Sequence, residues 1–136
     1  MSKLLSLPAP RSLPFEARRF LKRVQTFAAA HALWNTDTRI LIAVSGGPDS
    51  VCLLDILAFL SQKYAFSLGI AHVNYRLRGR DSAADERFVR TLAQRYQIPC
   101  FIQRYPAGRP HDENTLRESR YAFFEKLRKQ HRFDRL

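Results

Sequence analysis

The chain has 136 residues, 46% of them hydrophobic and 26% charged, a size and balance that predict one globular domain with a real core. Twenty-three lysines and arginines stand against 12 acidic residues, a formal charge of +11, which favours a polyanionic partner such as nucleic acid over a small acidic metabolite. Two cysteines, Cys52 and Cys100, exclude a disulfide framework and form no CxxC metal or redox pair.

Residues Met1 to Leu13 hold scattered prolines and no period, which predicts a loose lead-in ahead of a domain spanning 14–136. The segment lacks a continuous apolar run, so no signal peptide is read. From Pro14 to about Leu33, Phe20, Val24, Phe27, Ala28 and His31 recur at helical spacing, with Arg18, Arg19, Lys22 and Arg23 on the outer face. Ile40 to Val44 is a short apolar run without polar interruption, the pattern of a strand covered on both faces of a parallel sheet.

Ser45-Gly46-Gly47-Pro48-Asp49-Ser50 follows directly. The two glycines allow backbone angles that a Cβ would forbid and let bare N–H groups converge on a ligand. Pro48 has its φ preset for a first helical turn, and the helix that begins there presents unpaired N–H groups and a positive dipole end. The turn therefore reads as an anion site. Asp49 in the first turn would repel a polyphosphate unless a divalent cation lies between them, which predicts a nucleotide bound with Mg²⁺. There is neither a GxxxxGK[ST] motif nor a GxGxxG motif.

The following helix, Ser50 to about Lys63, is apolar nearly all round and predicts burial on both sides, with Cys52 a small core residue. Its longest apolar stretch, Val51 to Leu60, is interrupted by Asp55 and too short to span a bilayer. The cytoplasm is the default location. A second strand at about Phe66 to Val73 completes a βαβ unit. Asn74 to Arg80 forms a loop with arginines at 76, 78 and 80. Asp81 or Ser82 is expected to cap a third helix, Ser82-x-x-Asp85 being a capping-box-like start, with Phe88, Val89, Leu92, Ala93 and Tyr96 on its inner face. Ile98 to Tyr105 is a third strand, with Cys100 structural. Asn114 or Thr115 is expected to cap a fourth helix, with Thr115-x-x-Glu118 a capping box, carrying Leu116, Tyr121, Phe123, Phe124 and Leu127. Arg132 to Leu136 looks like the approach to a fourth strand.

Three segments in order now carry a resemblance: the SGGPDS loop, Ala71-His72-Val73-Asn74 with Leu77-Arg78 beyond, and Leu116-Arg117-Glu118-Ser119-Arg120-Tyr121-Ala122-Phe123-Phe124. Together they resemble the tRNA(Ile)-lysidine synthetases, within the N-type ATP pyrophosphatases, whose usual text is SGGxDS, HVNHGLR and RxxRYxFF. Tyr75-Arg76 replaces that family's His-Gly.

The resemblance implies an α/β fold of HUP or Rossmann-like type, a parallel sheet of order 3-2-1-4-5 with helices on both faces. It implies a two-step reaction on the wobble cytidine of CAU-anticodon tRNA(Ile), adenylation of the C2 carbonyl oxygen by ATP followed by attack of free L-lysine. Ser45, Gly46, Gly47, Pro48, Asp49 and Ser50 would hold ATP, and Asp49 would be the Mg²⁺ ligand. His72, Asn74, Arg78, Arg117 and Arg120 would contact substrate, with Asp49 and Arg117 the catalytic pair. Family members continue with further strands and tRNA-binding domains, so the chain is expected to be an N-terminal fragment truncated at strand 4 and inactive alone. Another tRNA-modifying enzyme of the superfamily, such as a tRNA thiolase, and a non-catalytic nucleotide- or RNA-binding module are the alternatives. The missing cysteine pair argues against sulfur transfer.

Overall fold

Ile40, Leu41 and Ile42 are buried because the strand they form, β1 (Arg39–Ala43), is covered on both faces, as its unbroken apolar text predicts. In the computed structural model, which describes residues 12–106, 108 and 112–136, β1 pairs in parallel with β2 (Ser67–Asn74). Strand β2 pairs in parallel with β3 (Cys100–Arg104), giving the order β1-β2-β3. On the other edge of β1 the chain returns, and Arg135 forms a single parallel bridge to Ile40, with the Leu41 N–H donating to the Arg135 carbonyl at 2.9 Å. The strand order is thus 3-2-1, with the first residues of a fourth strand beside β1 as predicted. The predicted lead-in lies outside the described residues except for Ser12 and Leu13, and so does part of the loop after Pro106.

The helices α1 (Phe15–Ala30), α2 (Pro48–Tyr64), α3 (Arg80–Tyr96) and α4 (Glu113–His131) divide between the two faces. Leu54, Leu57 and Leu60 of α2 and Val89, Leu92 and Ala93 of α3 pack with Ile40, Ile42, Leu68 and Ile70, and Leu21, Val24 and Trp34 close the same layer. On the opposite face Phe124 and Leu127 of α4 join Phe133 against Leu41 and Ala71. The alternation of β2 explains the fit: Gly69 and Ala71 leave room where the rings lie. A Cβ at Gly69 would stand 2.4 Å from the Phe133 ring, so that position is closed to any larger residue without displacement of the ring.

Several local expectations are corrected. In α1 the buried stripe is turned by about one residue, to Leu21, Val24 and Ala28, while Phe20 and Phe27 are exposed. The two stripes share Val24 and Ala28, so periodicity alone could not separate them. Helix α2 is covered on one side only: Leu53 is 47% exposed and Cys52 is exposed instead of packed in the core. In α3, Phe88 is exposed and Glu86 is buried. That helix begins at Arg80 without a side-chain cap; Ser82 Oγ instead accepts the Arg78 N–H at 3.1 Å. The cap of α4 is Asp112, which accepts the Thr115 N–H at 2.9 Å, one turn ahead of the predicted box. Cys100 is half-buried, and burial pushes its thiol above the ordinary range. Among the described residues no helix is long and apolar enough to cross a membrane.

Candidate functional site

The loop 45–50 leaves the carboxyl end of β1 and enters α2, so it lies at the edge of a parallel sheet where α/β folds place ligands. Gly46 has φ +96°, a conformation that L side chains avoid, and its open side faces Asp85. Gly47, by contrast, is extended (φ −74°, ψ 165°) as the residue preceding the helix. Only one of the two glycines is therefore required by its backbone angles. Pro48 occupies the first helical turn, as predicted.

The two serines hold the loop in shape. The Ser45 N–H donates to Ser50 Oγ at 3.1 Å, the two hydroxyls lie 3.0 Å apart, and Ser50 Oγ donates to the Gly47 carbonyl at 3.2 Å. Ser45 Oγ also accepts the Gly47 N–H at 3.2 Å. The N–H groups of Asp49 and Ser50, in the first turn of α2, have no acceptor within the helix by its geometry and face outward with the dipole. Asp49 is exposed and has no ion-pair partner among the described residues.

His72, near the carboxyl end of β2, is 3% exposed. Its Nδ1 lies 2.7 Å from the Val44 carbonyl and so carries the proton, fixing the residue that leads into the loop. Its Nε2 is buried with no hydrogen-bond partner among the described residues. A cavity of about 230 Å³ next to the loop is lined by Ser45, His72, Asn74, Tyr75, Arg78 and Asp85, so two of the three sequence segments that stood out meet there. Arg78 and Asp85, both lining it, form an ion pair at 2.8 Å.

Asn74 shapes this cavity from behind. It is 7% exposed, its Nδ2 donates to Glu86 at 3.3 Å, and its Oδ1 accepts the Arg76 N–H at 2.9 Å. Glu86 is the residue sequence reasoning missed. Arg104, at the end of β3, grips its carboxylate with two hydrogen bonds of 2.9 and 2.8 Å, and Arg90 adds a third contact at 3.5 Å. The Arg104 guanidinium holds this carboxyl down to about 2, against the opposing effect of burial. A glutamate on the buried stripe of an otherwise amphipathic helix was the available signal, since such a residue is kept only when paired.

The third segment reaches the site from α4. Arg120 donates to the Tyr75 hydroxyl at 3.5 Å, which ties α4 to a residue of the cavity wall. Arg117 is exposed and lies over the Tyr121 ring, 5.6 Å from its centroid. Asp49 offers one carboxylate, and no cluster of three or more metal-ligating side chains exists among the described residues. That donor set suits a Mg²⁺ shared with phosphate oxygens and water, and does not suit an ion held by protein alone.

Comparison with known proteins agrees with this geometry. A family model described as a PP-loop domain matches residues 16–136. The tRNA(Ile)-lysidine synthase of Clostridium perfringens strain 13 is 36% identical over 121 residues, 85% of this chain and 26% of that protein. The enzyme of the same name from Geobacter sulfurreducens is 42% identical over 112 residues, 77% of this chain and 23% of that protein. The chain thus spans about a quarter of the length of these curated relatives. Among solved structures, the U34-tRNA thiolase NcsA from Methanococcus maripaludis superposes with a TM-score of 0.64 at 18% identity, over 85% of this chain and 42% of that one, a likeness of fold.

Proposed function

The chain belongs to the PP-loop domain family, and from that premise we propose that it is the ATP-binding portion of an enzyme converting the wobble cytidine of CAU-anticodon tRNA(Ile) to lysidine. The observation that carries the reading is the loop 45–50: its left-handed Gly46 and the open N–H groups at the start of α2 stand beside a cavity walled by His72 and Arg78. The likeness to lysidine synthases over more than 100 residues supports the choice of reaction.

A cytidine C2 oxygen is a poor leaving group until it is esterified. In the first step that oxygen attacks the α-phosphorus of ATP, and the bond to pyrophosphate breaks. In the second an amine of free lysine attacks C2, and AMP departs with the former carbonyl oxygen. The N–H groups at the start of α2 bind the phosphates and stabilise charge as pyrophosphate separates. Asp49 would hold Mg²⁺, which supplies neutralisation of the phosphate oxygens. Arg117 and Arg120 are the groups available for a further anion, either a phosphate or the lysine carboxylate. A reaction on these substrates supports reading the protein as cytoplasmic.

The test is a chimera in which residues 16–136 replace the matching segment of the Clostridium perfringens relative. Lysine- and ATP-dependent mass gain at the wobble cytidine is expected, and Asp49→Asn in the chimera should abolish it. A folded chimera that binds ATP but adds no lysine would refute the assignment of reaction.

A further inference from the structure

Tyr121 lies near the middle of α4, and its ring is about half exposed, although the same helix buries Phe124 and Leu127. Two guanidiniums accompany it, Arg117 and Arg120, each 5.6 Å from the ring centroid. The ring also stands roughly perpendicular to that of Phe124, with centroids 6.3 Å apart. Neither Arg117 nor Arg120 has a carboxylate within ion-pair distance among the described residues, so both charges are uncompensated. Arg120 then continues to the Tyr75 hydroxyl, and Tyr75 lines the cavity beside the loop. A row of planar groups therefore runs from the helix surface to the cavity: Arg117, Tyr121, Arg120, Tyr75.

A half-exposed aromatic ring on a protein of net charge +11, accompanied by two guanidiniums that no carboxylate neutralises among the described residues, has the chemistry of a stacking platform for single-stranded nucleic acid. The phosphates go to the arginines, and the π-face takes an unpaired base. A double helix cannot use it, because its bases are already stacked.

We propose that Tyr121, flanked by Arg117 and Arg120, is a ledge on which an unstacked base of a single-stranded RNA loop is seated, with Tyr75 leading the adjoining nucleotide toward the cavity. The inference rests on the tRNA-modifying reading above and names the part of the surface that holds the loop. It assigns Tyr121 a binding role beside the reacting centre, without contact to ATP.

The experiment is a fluorescence titration of the chain with a single-stranded RNA heptamer carrying 2-aminopurine, with ATP–Mg²⁺ binding measured in parallel. Stacking on Tyr121 should quench the probe. Tyr121→Leu should weaken heptamer binding about 5- to 140-fold, the range for loss of one base–aromatic stack. Tyr121→Phe should bind as the parent does, which separates stacking from any effect of the hydroxyl. Both variants should keep the parent's circular dichroism, salt slope and ATP affinity. Unchanged affinity in Tyr121→Leu, or a fully paired duplex competing as well as the heptamer, would overturn the ledge. A parent chain that binds the heptamer with quenching but shows no affinity for ATP would instead remove the catalytic reading and leave the ledge standing.

Discussion

At the scale of single residues, the two loop glycines are not equivalent. Gly46 sits at φ +96°, whereas Gly47 is extended and a Cβ there would meet only Ser45 Oγ at 3.4 Å. Gly46→Ala should destabilise the fold by about 1–2 kcal/mol, the strain of a side chain in left-handed backbone, and should lower ATP affinity as the N–H groups turn away. Gly47→Ala should leave urea stability within experimental scatter. Equal effects of the two substitutions in urea unfolding would show that the loop does not depend on its backbone angles. Glu86 supplies a pH signature. Its folded carboxyl titrates at about 2, below the ordinary value of 4.5, so its contribution to stability is complete above about pH 4.5 and is lost as pH falls toward 2. Glu86→Gln should therefore flatten the acid limb of stability against pH while lowering stability at pH 7. An acid limb unchanged by the substitution would mean that the Arg104 pair contributes nothing there.

At the scale of elements, the site joins three pieces of chain: the β1–α2 turn, the end of β2 with its loop, and the first half of α4. Arg117 and Arg120 are three apart on α4 and share one face, so they present a single cationic patch. If tRNA phosphates lie there, each Ala substitution should reduce the salt slope of RNA binding by about one unit. Arg78→Ala should reduce it less, because Asp85 already neutralises part of that charge at 2.8 Å. Filter binding over a salt series checks this, and a slope unchanged in all three variants would return them to a solvated surface. The strands, the loop and the placement of all four helices were legible in the sequence because apolar runs, glycine and proline carry local information. What was not legible was decided by tertiary contact. Phe20 and Val24 satisfy the same period, and only the neighbouring helix selects Leu21 and Val24. The predicted caps were displaced because Ser82 accepts the Arg78 N–H, which leaves α3 without a side-chain cap, and because Asp112 accepts the Thr115 N–H at the start of α4. Glu86 was hidden because its partners, Asn74 and Arg104, are 12 and 18 residues away in the chain.

At the scale of the whole molecule, β1 is central to the fold and yet only partly covered. Beyond Leu41 its outer edge has no ladder partner among the described residues, and an apolar groove of about 400 Å³, walled by Trp34, Ile42, Leu53 and Leu57, runs beside it. Unpaired strand edges next to apolar surface template association. The 136-residue polypeptide should therefore self-associate through this edge, and Ile42→Lys, which puts a charge beside the groove, should suppress association if it folds. Leu53→Lys, at an already exposed helix position, serves the same purpose with less risk to the core. Sedimentation velocity across a concentration series decides it, and a monomer at every concentration would contradict the reading of the edge. The central claim is that the turn between β1 and α2 holds a triphosphate through its N–H groups and through Mg²⁺ on Asp49. Calorimetric titration of ATP into the parent chain and Asp49→Asn, each with and without Mg²⁺, tests it most directly. The account predicts that the substitution weakens Mg²⁺-dependent binding far more than Mg²⁺-free binding, because only the metal-bridged state uses the carboxylate. Equal losses in the two conditions, or no binding of ATP to the parent chain in either, would contradict it.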